Sequence, residues 1–121
     1  PPPKALIDPV SPNELRKSML PHLNGWANQL LQNPQVMAQR GYQSYVVLSL
    51  CRVLFTLEFG KVVSKPRAAE WAKENLDAKW AGLIDRAWEG RSSPGLTAET
   101  EDIRQTQELI RFSIEYSQKT S

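Results

Sequence analysis

The stretch "YVVLSLCRVLFTLEFGKVVSK", residues 45–65, decides the fold of this chain. Its mostly apolar residues lead up to Gly60, a residue that commonly ends a helix. We therefore predict a helix from about residue 42 to residue 59, with apolar side chains in almost every direction around its axis. The unexpected residue is Arg52, a permanent cation near the middle of this helix.

The segment before the central helix predicts a first helix. "SPNE", residues 11–14, supplies a serine cap, a proline in the first turn and a glutamate that can close a capping box. Pro21 lacks a backbone donor and is expected to kink or split this helix, and "QNPQ", residues 32–35, should end it. The apolar stripe of the helix consists of Leu15, Met19, Leu23, Trp26 and Leu30.

Three more helices are predicted after Gly60, over residues 64–76, 77–90 and 97–118. No segment shows the alternation of a strand bounded by hairpin turns. The predicted fold class is therefore all-α, a bundle of about five helices with a buried central helix. The core face of the fourth helix is expected to be Trp80, Leu83, Ile84, Ala87 and Trp88.

The opening "PPPKALIDP" has four prolines in nine residues and no initial methionine. This composition is typical of an interdomain linker. We therefore expect residues 1–10 to be a linker from an amino-terminal domain that is missing from this chain, and residues 11–121 to form one helical carboxy-terminal domain.

Composition excludes several classes of protein. A formal net charge of +2 is too small to indicate a nucleic-acid partner, and a single cysteine cannot form an internal disulfide. No Cys/His cluster has metal-ligand spacing. The longest apolar run, residues 46–57, is far shorter than the roughly 20 residues that span a bilayer, and no signal peptide is visible. These features predict a cytoplasmic protein without a membrane partner.

At 100° per residue, Tyr45, Ser49, Arg52 and Thr56 form one narrow polar seam on the central helix, with Tyr42 near its edge. One interpretation is a half-exposed stripe, where Arg52 reaches solvent or pairs with a carboxylate of the last helix. The other is an anion site, because the arginine fork suits phosphate oxygens and burial cannot neutralise it.

Recognisable motifs occur at and after this seam. "VVLSLCR", "FGKVVSK" and "AAEWA", which begin at residues 46, 59 and 68, agree in order and spacing with "VVLTL-x-R", "TGK-x-x-x-K" and "AA-x-WA". These are patterns of the carboxy-terminal helical domain of aminoglycoside adenylyltransferases, which modify the antibiotics streptomycin and spectinomycin. "LIDPVSPNELRKSM", residues 6–19, also resembles the start of that domain. The resemblance extends from residue 5 to about residue 92, with a looser match after that.

The resemblance implies that two domains contribute different parts of the active site. In that family an amino-terminal nucleotidyltransferase domain holds ATP and Mg²⁺ through a Gly-Ser pair and paired aspartates, neither of which occurs here. The helical domain closes the cleft, and its ATP-phosphate-binding arginine and lysine correspond to Arg52 and Lys65. The parent would be an adenylyltransferase that transfers AMP to a hydroxyl group. This chain alone, with no catalytic residue and no metal site, is expected to be inactive.

The acceptor side departs from the family pattern. Tyr42 and Tyr45 occupy the positions where an acid and a histidine are expected, and an aminoglycoside is a polycation whose natural partners are carboxylates. Either the acceptor is a different hydroxyl compound, or the activity on streptomycin is lost. Tyr42, Tyr45 and Ser49 are the candidate substrate-binding residues.

Other chemistry-bearing residues have plainer interpretations. We interpret His22 as a solvated or capping residue and Cys51 as a small buried hydrophobe. The acids at 99, 101 and 102 complement the dipole of the last helix, and the tryptophans at 71, 80 and 88 pack the bundle. The alternative function is a non-catalytic helical protein-interaction module, in which Arg52 pairs with an acid inside the bundle and the seam is a protein interface.

Overall fold

A computed structural model of the chain describes residues 11–120, so the linker predicted for residues 1–10 lies outside the described residues. Those residues form five helices and no strand, which confirms the all-α prediction. None of the described helices is long and apolar enough to cross a membrane. The helices are α1 (Pro12–Gln32), α2 (Arg40–Phe59), α3 (Lys65–Asn75), α4 (Lys79–Gly90) and α5 (Thr100–Thr120), and a 3₁₀ helix (Pro34–Met37) lies between α1 and α2.

The start of α1 follows the capping prediction. The backbone N–H of Glu14 donates to Ser11 Oγ at 3.1 Å, which satisfies one of the unpaired donors of the first turn. The helix then runs through Pro21 without a break, so it is not split. Pro21 is exposed, and solvent can hydrate the one carbonyl that the proline leaves without a donor.

The central element is α2, which contacts each of the other four helices. Burial of each large apolar side chain on it contributes about 1.5–3 kcal/mol relative to exposure. The apolar side chains that α2 buries are Val46, Val47, Leu48, Leu50, Cys51, Leu54 and Leu57.

The carboxyl end of α2 is held against the start of α1. Gly60 ends the helix with φ 67°, the left-handed conformation that favours glycine. A Cβ at Gly60 would lie 2.3 Å from Cβ of Pro12. Arg16 of α1 donates from Nε to the carbonyl of Leu57 at 2.8 Å and from Nη2 to that of Glu58 at 3.0 Å. These bonds satisfy carbonyls of the last turn that the helix itself leaves unpaired.

The amino end of α2 is held by the loop between α4 and α5. The backbone N–H of Arg40 donates to the carbonyl of Leu96 at 2.7 Å, and that of Ala98 donates to the carbonyl of Ala38 at 2.7 Å. Thr97 forms an isolated antiparallel bridge with Gln39. Because this loop uses residues 97 and 98, α5 begins at residue 100, three residues later than predicted.

The core face of α4 is mostly as predicted. Trp80 is buried together with the leucine, isoleucine and alanine of that face. The exception is Trp88, which is 39% exposed, so its core assignment is wrong. The Arg91 guanidinium, in the loop that follows α4, lies over the Trp88 ring at 4.0 Å from its centroid.

The Gly60 contact predicts a strong effect of one added methyl group. We expect Gly60→Ala to lower the free energy of unfolding by about 1–3 kcal/mol, because the left-handed φ and the approach of Pro12 both oppose a Cβ. The measurement is urea unfolding followed by circular dichroism.

The matched control is Gly25→Ala inside α1, where an added Cβ meets nothing within 4 Å. This change should raise the free energy of unfolding by about 0.5–1 kcal/mol, since alanine is the better helix former. Equal effects of the two substitutions would contradict the assigned role of Gly60.

Candidate functional site

The polar seam of α2 is open to solvent along only part of its length. Tyr42 and Tyr45 are 38% and 47% exposed, whereas Ser49 and Arg52 are half-buried. Thr56 is buried, and its Oγ1 donates to the carbonyl of Lys61 at 2.9 Å. At Thr56 the seam therefore meets a polar partner rather than solvent, and the hydroxyl supports the turn that ends α2.

Arg52 is anchored to the connector between α2 and α3. Its Nε donates to the carbonyl of Val63 at 2.9 Å. Within residues 11–120, its terminal nitrogens have no hydrogen-bond partner and no carboxylate lies within ion-pair distance. The pairing of Arg52 with an acid, which the interaction-module alternative predicts, is thus not found in this part of the chain.

Lys65 is the first residue of α3 and lies close to the seam. Its Nζ is 4.4 Å from the centroid of the Tyr45 ring, a favourable arrangement of a cation over an aromatic face. Tyr45 and Arg52 are seven residues apart, which is two turns and about 10.5 Å along one side of a helix. The two candidate phosphate-binding cations therefore lie along the same side of α2, Arg52 on that helix and Lys65 at the start of α3.

An aromatic groove lies between α1 and α2, with a volume of about 480 Å³. The Trp26 and Tyr45 rings meet edge to face with centroids 6.4 Å apart, and the Tyr42 ring lies 5.7 Å from that of Tyr45. A groove of this size with apolar walls and a few polar groups is typical of small-molecule sites. Its lining residues are Ser18, Met19, His22, Leu23, Trp26, Tyr45, Ser49 and Val53.

The wall that α1 contributes was missed by sequence reasoning. His22 is exposed and Trp26 is partly buried against the core, as predicted, and both also line the aromatic groove. The signal was present, because Met19, His22 and Trp26 are spaced three and four residues apart and so share one side of a helix. What the sequence could not show is that this side of α1 lies opposite Tyr45.

Two of the three acids near the start of α5, Glu101 and Asp102, are paired with arginines. Arg86 Nε donates to Asp102 at 2.7 Å, and Arg104 bonds Glu101. Arg104 and a nearby glutamine amide hold the pKa of the Glu101 carboxyl down, to about 2. Within residues 11–120, no three His, Cys, Asp or Glu side chains are grouped so as to hold a metal ion.

The fold and this surface define a small all-α domain with two cations beside an aromatic groove. Residues 5–119 match the sequence profile of the family described as "Aminoglycoside adenylyltransferase, C-terminal domain". The chain belongs to this family, as its motifs predicted. Comparisons with curated proteins and with solved structures found no match.

Cys51 is expected to be unreactive while the protein is folded. Burial raises the pKa of its thiol from 9.0 to about 12, so the nucleophilic thiolate is scarce near neutral pH. Because the folded pKa is the higher one, the stability that this thiol contributes is complete below pH 9 and is lost as the pH rises towards 12.

The measurement is the rate of reaction with a disulfide reagent, in buffer and in guanidinium chloride. The thiol should react slowly in the folded protein and rapidly once the protein unfolds. Ser18→Cys, which places a thiol at an exposed position of the aromatic groove, is the matched control and should add one fast-reacting equivalent. Fast reaction of Cys51 itself in buffer would contradict its burial.

Proposed function

We propose that this chain is the helical domain of an ATP-dependent adenylyltransferase and closes the cleft between nucleotide and acceptor. In the proposed reaction, the oxygen of an acceptor hydroxyl bonds to the α-phosphorus of ATP, the bond to pyrophosphate breaks, and the hydroxyl proton passes to a base outside this chain. One observation carries the proposal beyond family membership. Arg52 and Lys65 are on one side of α2 and have no carboxylate partner within residues 11–120.

The contact of Arg52 with the connector supports a role in phosphate binding. Its Nε is engaged by the carbonyl of Val63, which limits rotation of the guanidinium, so the two terminal nitrogens can face an anion with little loss of side-chain entropy. Lys65 adds a second positive charge beside Tyr45. Together the guanidinium, held by Val63, and the more flexible ammonium would stabilise the negative charge of a triphosphate during transfer.

The residues proposed to bind the acceptor lie next to these cations. Tyr42 and Tyr45 offer exposed ring faces and hydroxyls, and Ser49 offers a hydroxyl on the same side of α2. An acceptor in the aromatic groove would thus be adjacent to a nucleotide held by Arg52 and Lys65. The aminoglycosides named by the family are one candidate class of acceptor.

The remaining parts of the proposed enzyme belong to a covalently linked amino-terminal nucleotidyltransferase domain. Mg²⁺, which would neutralise the phosphates of ATP, is assigned mainly to that domain, since residues 11–120 hold no group of metal ligands. The general base is assigned there too. We therefore propose that this chain contributes the edge of the cleft and does not catalyse transfer by itself. We also propose that the parent enzyme acts in the cytoplasm.

The role of Arg52 is tested in the full-length parent by Arg52→Ala. We expect kcat/KM for ATP to fall about a hundred- to a thousand-fold, the size typical of removing one donor that stabilises developing charge. The free energy of unfolding should fall by only about 1 kcal/mol, for the lost bond to Val63. Steady-state release of pyrophosphate and thermal unfolding measure the two effects.

Arg52→Lys is the matched control, because it keeps the charge and removes the arginine fork. It should recover part of the lost kcat/KM. A variant Arg52→Ala with lower stability but unchanged kinetic constants would show that Arg52 only holds the connector.

The role of Lys65 is tested by Lys65→Ala, which should raise the dissociation constant for ATP by about three- to ten-fold, since a flexible ammonium contributes less than a fixed guanidinium. Arg67→Ala is the matched control. Arg67 also lies in the first turn of α3, but it lines a different concavity with Phe59 and Trp71. Equal effects of the two substitutions on ATP binding would argue for general positive charge rather than a site at Lys65.

A further inference from the structure

The contact between Lys65 and Tyr45 joins α3 to the central helix. The Lys65 ammonium lies 4.4 Å from the centroid of the Tyr45 ring. Two other cations lie over aromatic rings within residues 11–120, but each is a near neighbour of its ring in sequence, at residues 79–80 and 88–91. Chain connectivity brings those pairs together, whereas the contact between Lys65 and Tyr45 depends on how α3 packs against α2.

The backbone that leads to Lys65 is fixed by two hydrogen bonds from α2. In this connector the carbonyl of Lys61 accepts from Thr56 Oγ1 at 2.9 Å. The carbonyl of Val63 accepts from Arg52 Nε, also at 2.9 Å. The residue that follows Lys65 is a proline, whose ring restricts the backbone angles of its own residue and of the one before it. The part of Lys65 that stays mobile is therefore its four-carbon side chain.

The Tyr45 ring is a firmer support than this lysine side chain. A tyrosine ring turns about only two side-chain bonds. The edge-to-face contact with Trp26, at 6.4 Å between centroids, and the Tyr42 ring at 5.7 Å restrict it further. Within residues 11–120, no carboxylate lies within ion-pair distance of Lys65. In this part of the chain, nothing of opposite charge competes with the ring for the ammonium.

We propose that Tyr45 is a positioning residue for Lys65, and that its ring holds the ammonium on the side of α2 that carries Arg52, where it can contact phosphate. This inference rests on the proposed function, in which Lys65 binds the triphosphate of ATP. A lysine that is already held there loses less side-chain entropy when the anion binds. The role is separate from the acceptor contact proposed for Tyr45, because it affects ATP when no acceptor is present.

The test is a double-mutant cycle on the dissociation constant for ATP, measured with the full-length parent, Mg²⁺ and no acceptor. Tyr45→Leu should raise this constant about two- to five-fold, the size of one exposed contact of a cation with an aromatic ring. In a Lys65→Ala background the same change should raise it no further, because the ring then has no cation to position. Omitting the acceptor keeps any contact between Tyr45 and the acceptor out of the measurement.

Two further variants separate the Tyr45 ring from general effects of losing a surface aromatic. Tyr45→Phe keeps the ring and removes the hydroxyl, so it should bind ATP within about two-fold of the parent. Phe59→Leu removes another ring of α2 that is 43% exposed and over which, within residues 11–120, no cation lies. It should leave the affinity for ATP unchanged. Tyr45 itself is 47% exposed, and thermal unfolding of each variant shows whether the fold is intact.

The cycle distinguishes failure of this inference from failure of the proposed function. If Tyr45→Leu acts equally with and without Lys65, or has no effect while Lys65→Ala weakens binding, the positioning role is wrong and the proposed function stands. Tighter binding of ATP by Tyr45→Leu would show that the ring holds the ammonium away from phosphate, which also overturns the inference. If Lys65→Ala leaves ATP binding unchanged, the proposed phosphate contact of Lys65 fails and this inference fails with it. A parent that binds no ATP would overturn the proposed function as a whole.

Discussion

The structure depends on the burial of α2. Because α2 contacts all four other helices and is fixed at both ends, its axis and rotation are determined by packing rather than by its few polar residues. This packing leaves a line through Tyr42, Tyr45, Ser49 and Arg52 at least partly exposed, as it does Glu58 and Phe59 at the carboxyl end of the helix. The candidate site uses this line, so its side chains are attached to a helix whose position is fixed by the core.

The packing of α2 also explains how a cation is tolerated in the most apolar segment of the chain. Arg52 is half-buried, and it uses one nitrogen for the carbonyl of Val63 and keeps its other donors on the open side of the helix. An arginine with no partner at all would lose hydration without compensation. The connector after Gly60 is thus tied both to Arg52 and, through Lys61, to Thr56. Lys65 at the start of α3 is positioned by the turn that these bonds hold.

Local signals allowed much of the fold to be predicted. The cap at Ser11, the stop at Gly60 and the helical spacing of α4 are each set by a few neighbouring residues. The late start of α5 was not predictable, because backbone groups of Thr97 and Ala98 bond partners far away in sequence. For the same reason, the sequence predicted the candidate site on α2 only. The side of the groove that carries Trp26 could be identified only from the packing of α1 against Tyr45.

The placement of charge links the aromatic groove, proposed to bind the acceptor, with Arg52 and Lys65, proposed to bind phosphate. A carboxylate added near Tyr45 to bind a cationic acceptor would also attract Lys65, whose ammonium is 4.4 Å from that ring. Lys65 would then be less available to a phosphate. Aromatic and hydroxyl groups avoid this conflict, because they do not neutralise a neighbouring cation. On this argument, the uncharged side chains that line the aromatic groove leave the charge of Lys65 available to the phosphate that we propose it binds.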